Sequence, residues 1–207
     1  AFVTNGTTAN PTLNLGNLRT GNAVTRTFTV ENTGTTGATL RGALQTAVNG
    51  GNLTDSRLSG TGVTADNFDP LAPGAGQQFS VTFDGTSAGT MTGQVVHVAN
   101  NFDNVADQNL TITGTAYRPA SANTITPNPV SLGSTRIGGT LTGNLSIANT
   151  AGDTGGYTET LGASVTGTSG AVSTTGSITG LAYNAAPSTA IGLSLNTATA
   201  GAKTGTA

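Results

Sequence analysis

The sequence predicts an all-β fold made of two tandem β-sandwich domains, and three observations lead to this prediction. The chain of 207 residues contains an internal repeat. Its apolar residues alternate with polar ones in short runs, which is the period of a half-buried strand. Clusters of good helix formers are absent, whereas the β-favouring residues Thr and Val are plentiful.

The repeat opens at Pro11–Gly21, whose pattern returns at Asn128–Gly138, with an offset of 117 positions between Leu15 and Leu132. The register holds without a gap as far as Asn32, which aligns with Asn149. A period of this size is too long for one turn of a solenoid and suits a whole domain. We therefore predict one domain over residues 1–118, with a leading linker over 1–10, and a second over residues 119–207.

In the first repeat, alternating runs predict strands at 12–18, 24–30, 38–44, 61–68, 79–83, 90–99 and 110–113. Gly, Pro, Asn and Asp separate these runs, for example at Asn49-Gly-Gly and Ala72-Pro-Gly. Many short strands joined by frequent turns are typical of an immunoglobulin-like sandwich. The inward positions predict a core of Phe28, Val30, Phe79, Val81, Leu110 and Ile112.

The second repeat predicts matching strands at 141–147 and 191–195, after a Pro-containing linker over 117–128. Its predicted core contains Leu145, Ile147, Ile191, Leu193 and Leu195. Ala200-Gly201 matches Ala88-Gly89, so this domain is expected to be incomplete at its C-terminus, before its last strands. We expect this truncation to leave an open sheet edge beside Ile191–Leu195. Either the continuing chain or a strand from a neighbouring molecule would complete that edge.

Composition restricts the possible functions. Charged residues make up 8% of the chain, the net charge is −2, and there is no Cys. A basic surface for nucleic acid is therefore not expected, and neither thiolate catalysis nor a Cys-type zinc site is possible. No apolar run of the length of a membrane span is present, so membrane insertion of this segment is not predicted.

His97 is the only residue on which a Ser–His–Asp triad could be built, because the chain has a single His. It lies within the Val-rich run 95–98, which favours a His on the face of a strand. No hydroxyl nucleophile and carboxylate are expected around it. We predict no catalytic residue and no cofactor.

A weak candidate for a calcium site is formed by Asp103, Asn104 and Asp107. Carboxylate and amide oxygens are ligands that Ca²⁺ prefers. The spacing is not that of an EF-hand, and Asp and Asn also form simple turns. The turn interpretation is preferred.

Several short strings resemble a known family when they are taken in order. They are Leu15-Gly-Asn-Leu-Arg-Thr-Gly, Val30-Glu-Asn-Thr-Gly, Leu71-Ala-Pro-Gly, Val81-Thr-Phe and Leu110-Thr-Ile-Thr-Gly-Thr-Ala. Together they resemble the choice-of-anchor D repeats of large bacterial surface proteins and, more distantly, hydin and major-sperm-protein-like immunoglobulin domains. The resemblance implies an extracellular, anchored and repetitive protein with a structural or adhesive role and without catalytic residues.

Three functions follow as hypotheses, and the last of them is an accessory domain of a hydrolase. The first is a structural repeat segment of an extracellular bacterial surface filament, matrix fibre or adhesin stalk, whose partners are neighbouring copies or repeats of the same protein. Uncharged rows such as Thr25, Thr27 and Thr29 favour such association. The second is an adhesin module that recognises a glycan or protein through loops such as 45–60 and 100–108. The chain has only three Tyr and no Trp to stack on a sugar.

Overall fold

The computed structural model describes residues 2–3, 11–152 and 155–207. It confirms the predicted all-β, immunoglobulin-like architecture. The chain divides into two compact units, Ala1–Tyr117 and Arg118–Ala207. Within the described ranges, no helix has the length and apolar character needed to cross a membrane.

Unit 1 is a sandwich of two sheets. The first sheet has the order β1-β3-β7-β5 and contains β1 (Phe2–Val3), β3 (Ala23–Glu31), β5 (Leu58–Ser59) and β7 (Gly76–Asp84). The second has the order β2-β10-β9-β4-β6, and β8 also pairs with β10. Its strands are β2 (Thr12–Arg19), β4 (Leu40–Gln45), β6 (Asp66–Leu71), β8 (Gly89–Thr90), β9 (Gln94–Asn100) and β10 (Gln108–Tyr117). Strand β2 runs parallel to β10, and the other pairings are antiparallel.

The core of unit 1 lies between these sheets and contains all six predicted side chains. Val81, Leu110 and Ile112 are fully buried, and Phe28, Val30 and Phe79 are 2–6% exposed. Phe28 and Phe79 are paired across β3 and β7, with ring centroids 5.4 Å apart. The prediction succeeds here because alternation along a strand fixes which side chains point inward.

Two predicted strands of unit 1 are interrupted. The run 61–68 begins as a 3₁₀ turn over Thr61–Val63, and β6 starts only at Asp66. Gly62 is buried in this turn, where a Cβ would come 2.5 Å from the Phe28 ring. The run 90–99 is divided into β8 and β9, with Gly93 at a φ of 64° between them.

Unit 2 contains two smaller sheets. One has the order β11-β15-β13, with β11 (Thr142–Ile147), β13 (Val172–Thr175) and β15 (Ser188–Leu195). The other pairs β12 (Leu161–Ser164) with β14 (Ser177–Leu181). Ile147, Ile191 and Leu193 are buried as predicted, whereas Leu145 and Leu195 are half-buried. Ile178, which was not predicted, completes the buried cluster.

The expectation of an open edge beside Ile191–Leu195 is wrong. Strand β15 lies between β11 and β13 and is paired on both sides. It occupies the place that β7 holds in unit 1, between β3 and β5. Strands β9 and β10 of unit 1 belong to the other sheet, so counterparts of them would not lie beside β15.

The repeated sequence around Leu15 and Leu132 adopts different structures in the two units. Leu15 lies in β2, which is held by parallel pairing with β10. The described residues around Leu132 form no strand. The shared glycines nevertheless keep similar positive φ values, 81° and 84° at Gly16 and Gly133, and 88° and 77° at Gly21 and Gly138, which lie in equivalent turns. The motif therefore determines the local turn, whereas the formation of strand β2 depends on its pairing with β10.

Candidate functional site

His97 lies at the base of the β9–β10 hairpin, on the opposite face from the core residues Val96 and Val98. It is only 8% exposed. Its Nδ1 is 2.8 Å from Asn109 Oδ1, and its Nε2 is 3.2 Å from Asp107 Oδ2. Within the described part of the chain, no hydroxyl group is hydrogen-bonded to the ring. A carboxylate is thus present, but an amide stands where a triad would need a nucleophile.

Asp107 organises the loop that joins β9 to β10. Its Oδ1 accepts hydrogen bonds from the backbone N–H of Asn100 at 2.9 Å and from Asn100 Nδ2 at 2.8 Å. Asn100 Nδ2 also donates to Val105 O, and Asn100 Oδ1 accepts from the Phe102 N–H. This network holds the loop 101–106 in a defined conformation.

The described hydrogen bonds do not gather the side chains of the three calcium candidates around one point. Asp107 directs both carboxylate oxygens toward nitrogen atoms of His97 and Asn100. Asn104 lines a cleft at one end of unit 1. Among the described residues, no group of three or more His, Cys, Asp or Glu could hold a metal ion. The turn interpretation stays our prediction, and calcium binding by Asp103, Asn104 and Asp107 stays the untested alternative.

A buried asparagine joins the two sheets at the same place in both units. In unit 1, Asn32 Nδ2 donates to Ala38 O at 3.1 Å and to Leu71 O at 3.0 Å. In the same residue, Oδ1 accepts from the Gly34 N–H. Since Asn32 follows β3 and Leu71 ends β6, one side chain connects both sheets. We call Asn32 and its three partners the asparagine bridge.

The bridge recurs in unit 2 around Asn149, which is 2% exposed. Asn149 Nδ2 donates to Leu181 O at 3.2 Å and to Glu159 O at 3.0 Å, and its Oδ1 accepts from the Ala151 N–H. Sequence analysis placed both asparagines at equivalent positions of the repeat, and Asn is a residue type that favours turns. It did not show that each side chain also spans the sandwich, because the carbonyl partners are distant in sequence.

A second polar cluster, missed from the sequence, surrounds Arg57. Its guanidinium donates to both carboxylate oxygens of Asp55, at 2.9 and 2.6 Å, and to the carbonyl oxygens of Ser87 and Gly89. It also lies 5.0 Å from the centroid of the Phe83 ring. Hydrogen bonding from Arg57 lowers the pKa of Asp55, and the same contact raises the pKa of Arg57. The pair attaches the loop before β5 to the sandwich.

A cleft of about 320 Å³ opens at one end of unit 1. It lies between the β3–β4 loop (32–39) and the β9–β10 loop (101–107), and we call it the end cleft. Its apolar lining includes Val30, Leu40, Phe68, Val98, Phe102 and Val105. Its polar lining consists of Thr, Asn and Gln, without a charged side chain. Of the two predicted recognition loops, only 100–108 contributes to it.

The β3–β7 face of unit 1 is polar and nearly uncharged. Thr25 and Thr27 are exposed, and Thr25 Oγ1 lies 2.7 Å from Thr82 Oγ1 across the strand pair. Thr29 is half-buried. Cross-strand Thr pairs of this kind stabilise a sheet. Whether this face contacts other copies stays a prediction.

The fold and these contacts define an immunoglobulin-like structural or protein-interaction module, and modules of this fold are typically non-catalytic. A family model for the HYDIN/CFA65/VesB-like, Ig-like domain matches residues 8–115, which is more than half of the chain. The chain therefore belongs to this family.

Among solved structures, the ASH / PapD-like domain of human CEP192 (PapD-like domain 7) is similar at 14% sequence identity. The similarity covers 52% of this chain and 81% of that chain, with a TM-score of 0.37. A comparison with curated protein sequences gives no match.

Proposed function

We propose that this chain is a structural repeat segment of a long extracellular bacterial surface filament, matrix fibre or adhesin stalk. The observation that carries the proposal is the repetition of one internal scaffold in both units. Asn32 and Asn149 make equivalent contacts, and Gly21 and Gly138 have similar positive φ values in equivalent turns. Such repetition supports a role in which each unit acts as a spacer that fixes the distance and orientation of its neighbours. It does not favour a role in which one unit catalyses a reaction.

The surface composition supports the same proposal. A chain with 8% charged residues has little electrostatic repulsion between copies. Its exposed strand positions, such as Thr25 and Thr27, are small and favour β structure. The resemblance to choice-of-anchor D repeats supports an anchored, extracellular setting. A catalytic role forms no part of the proposal.

Localisation on intact cells tests the proposal. Antibodies raised against the 207-residue chain are applied to intact and to permeabilised cells of the producing organism. Immunogold labelling is then examined on negatively stained cells, with a cytoplasmic protein as the control. We expect label on intact cells, arranged along surface fibres or within a matrix layer. Label confined to permeabilised cells would contradict the proposal.

The alternative function is an adhesin module that binds a ligand through its loops, and the end cleft is the observation that favours it. An apolar lining with Phe68 and Phe102 suits an aliphatic side chain of a protein better than a sugar. Saturable binding of a glycan panel by the whole chain, abolished by Val105→Asp, would favour the glycan form of this alternative over the structural role.

A further inference from the structure

One exposed isoleucine in unit 2 stands out against the polar surface. Ile137 is 65% exposed, more than any other large apolar residue that the structure describes. It lies in the turn 136–139, closed by the Gly139 N–H donating to Arg136 O at 2.9 Å. Gly138 has a φ of 77°, so Ile137 is at the tip of a type II turn. We call residues 136–139 the Ile137 turn.

The turn is held rigidly. The Gly138 N–H donates to Thr197 O at 3.0 Å, and Thr197 Oγ1 donates to Gly139 O at 2.6 Å. Unit 1 has the same turn, in which the Asn22 N–H donates to Arg19 O, but it carries Thr20 at the tip. An apolar tip is therefore not required by the turn geometry. Burial of Ile137 in an apolar site would remove this side chain from water.

We propose that the Ile137 turn of one copy inserts into the end cleft of unit 1 of a second copy. The cleft is apolar and uncharged inside, and at about 320 Å³ it has room for a branched aliphatic side chain and part of its turn. Val105, itself 44% exposed, forms part of its wall. Burial of Ile137 against this wall removes two exposed apolar side chains from water.

Charge complementarity supports this pairing. Arg136 precedes Ile137 in the turn, and Asp103 lies between the cleft-lining residues Phe102 and Asn104. Both are exposed, and the described structure gives neither side chain a hydrogen bond or an ion pair. In a chain with only 16 charged residues, 7 basic and 9 acidic, a free cation beside the apolar tip and a free anion beside the cleft are a specific match.

The positions of the two surfaces determine what kind of assembly results. In unit 1 the end cleft lies where β3 ends, whereas the turn equivalent to the Ile137 turn precedes the start of β3. The two features thus occupy opposite ends of the repeated sandwich. A contact between two different surface patches is heterologous, and unless its rotation closes into a ring it produces an open filament. The inference rests on the proposed filament function and identifies a second copy of this chain as the partner.

One inserted turn buries far less surface than a stable standard interface. The contact is therefore weak for an isolated pair and gains strength when many copies are held in one array. Covalent trapping is a suitable assay for such a contact. Because the sequence contains no Cys, every disulfide detected in this assay must come from an introduced residue.

The experiment mixes two full-length single-cysteine variants, Val105→Cys and an affinity-tagged Ile137→Cys, under mild oxidation. The matched control replaces Ile137→Cys with tagged Val48→Cys, since Val48 is also exposed, at 57%. We expect the 105–137 disulfide to form at least about tenfold faster than the 105–48 disulfide, because the contact raises the effective concentration of the two thiols and Cys keeps a small apolar side chain at each position. Equal rates would overturn the proposal.

A double variant, Val105→Cys with Ile137→Cys in one chain, identifies the occupant. A ladder of disulfide-linked multimers is expected. A product that migrates as a closed monomer would overturn the proposal, because the chain's own turn would then fill the cleft.

Charge reversal is a second experiment. Asp103→Arg should slow formation of the 105–137 disulfide, and the addition of Arg136→Asp on the partner copy should restore its rate. Failure of restoration would overturn the proposed pairing of Arg136 with Asp103.

The result is separable from the proposed function. Surface fibres without the 105–137 disulfide would disprove this contact and leave the filament role standing. Rapid disulfide formation in a protein that is absent from the cell surface would establish the contact and disprove the filament role.

Equilibrium sedimentation gives a direct readout of self-association. The Ile137→Thr variant, which has the same tip residue type as the turn of unit 1, should self-associate at least about tenfold more weakly than the wild type.

Discussion

The asparagine bridge makes the most direct prediction about stability. Asn32→Ala removes two hydrogen bonds donated by Nδ2, at 3.0 and 3.1 Å, and one accepted by Oδ1 at 3.2 Å. Asn32 is 7% exposed, so water does not readily replace these partners. At about 1 kcal/mol for each bond, the variant should lose about 3 kcal/mol of unfolding free energy. For a domain of this size, that corresponds to a fall in Tm of roughly 10–15 °C.

Asn32→Asp provides a sharper test because its shape is nearly unchanged. The oxygen that replaces Nδ2 would face two carbonyl oxygens, those of Ala38 and Leu71, with no proton to donate. At neutral pH, Asn32→Asp should therefore be less stable than Asn32→Ala. The order of stability of these two variants therefore distinguishes the loss of hydrogen bonds from a repulsive contact.

The assay is guanidinium unfolding of the full chain followed by far-UV circular dichroism, since the chain has no Trp for fluorescence. Hydrogen exchange then locates the change in β3 and β6 rather than in unit 2. Asn17→Ala, at an exposed strand position, is the matched control and should change stability by less than about 0.5 kcal/mol. If Asn32→Ala and Asn17→Ala unfold alike, or if Asn32→Asp is as stable as the wild type, the reasoning is refuted.

Three further predictions follow from other parts of the structure. Arg57 lowers the pKa of Asp55, so the unfolded chain takes up this proton first, and the stabilisation by the pair should be lost as pH falls below about 4. Acid titration of the unfolding free energy should show a smaller acid-side loss in Asp55→Asn, and an unchanged profile would contradict the assignment. Gly62→Ala should destabilise unit 1 by about 1–3 kcal/mol, since its Cβ would meet core atoms at 2.5 Å. Gly167→Ala, which meets nothing within 4 Å, is its control, and equal melting temperatures would disprove the clash. Calcium should leave the Tm unchanged, because both Asp107 oxygens already contact nitrogen atoms, whereas a saturable rise in Tm on titration with Ca²⁺ would support the calcium site.

Local pattern predicted the fold and much of the core, and it failed where packing interrupts a run. Phe28 and Val81 were identified as core residues because their neighbours alternate with them along a strand. The run 61–68 also looks like a strand, yet it begins as a tight turn because Gly62 lies against Phe28. That contact involves a partner more than thirty positions away, and alternation carries no information about it.

The polar clusters show a similar division. Asn32 and Asn149 could be located from the repeat, and their turn-forming role follows from residue type. Their second role, joining two sheets, depends on the carbonyls of Leu71 and Leu181. Arg57 gave no sequence signal beyond a nearby Asp, because its other partners, Ser87 and Gly89, are brought near only by folding.

By itself, the sequence determined the repeat, the all-β class and the inward-facing residues, since these depend on identity, composition and period, all of which are local. The tertiary structure alone decided how strands are shared between sheets. It placed β15 between β11 and β13, where an open edge was expected. It also formed the end cleft from two loops and left Ile137 exposed at a turn that carries Thr20 in the other unit. The physical reason is that strand pairing and pocket formation join segments far apart in the chain, so a one-dimensional pattern constrains them only weakly.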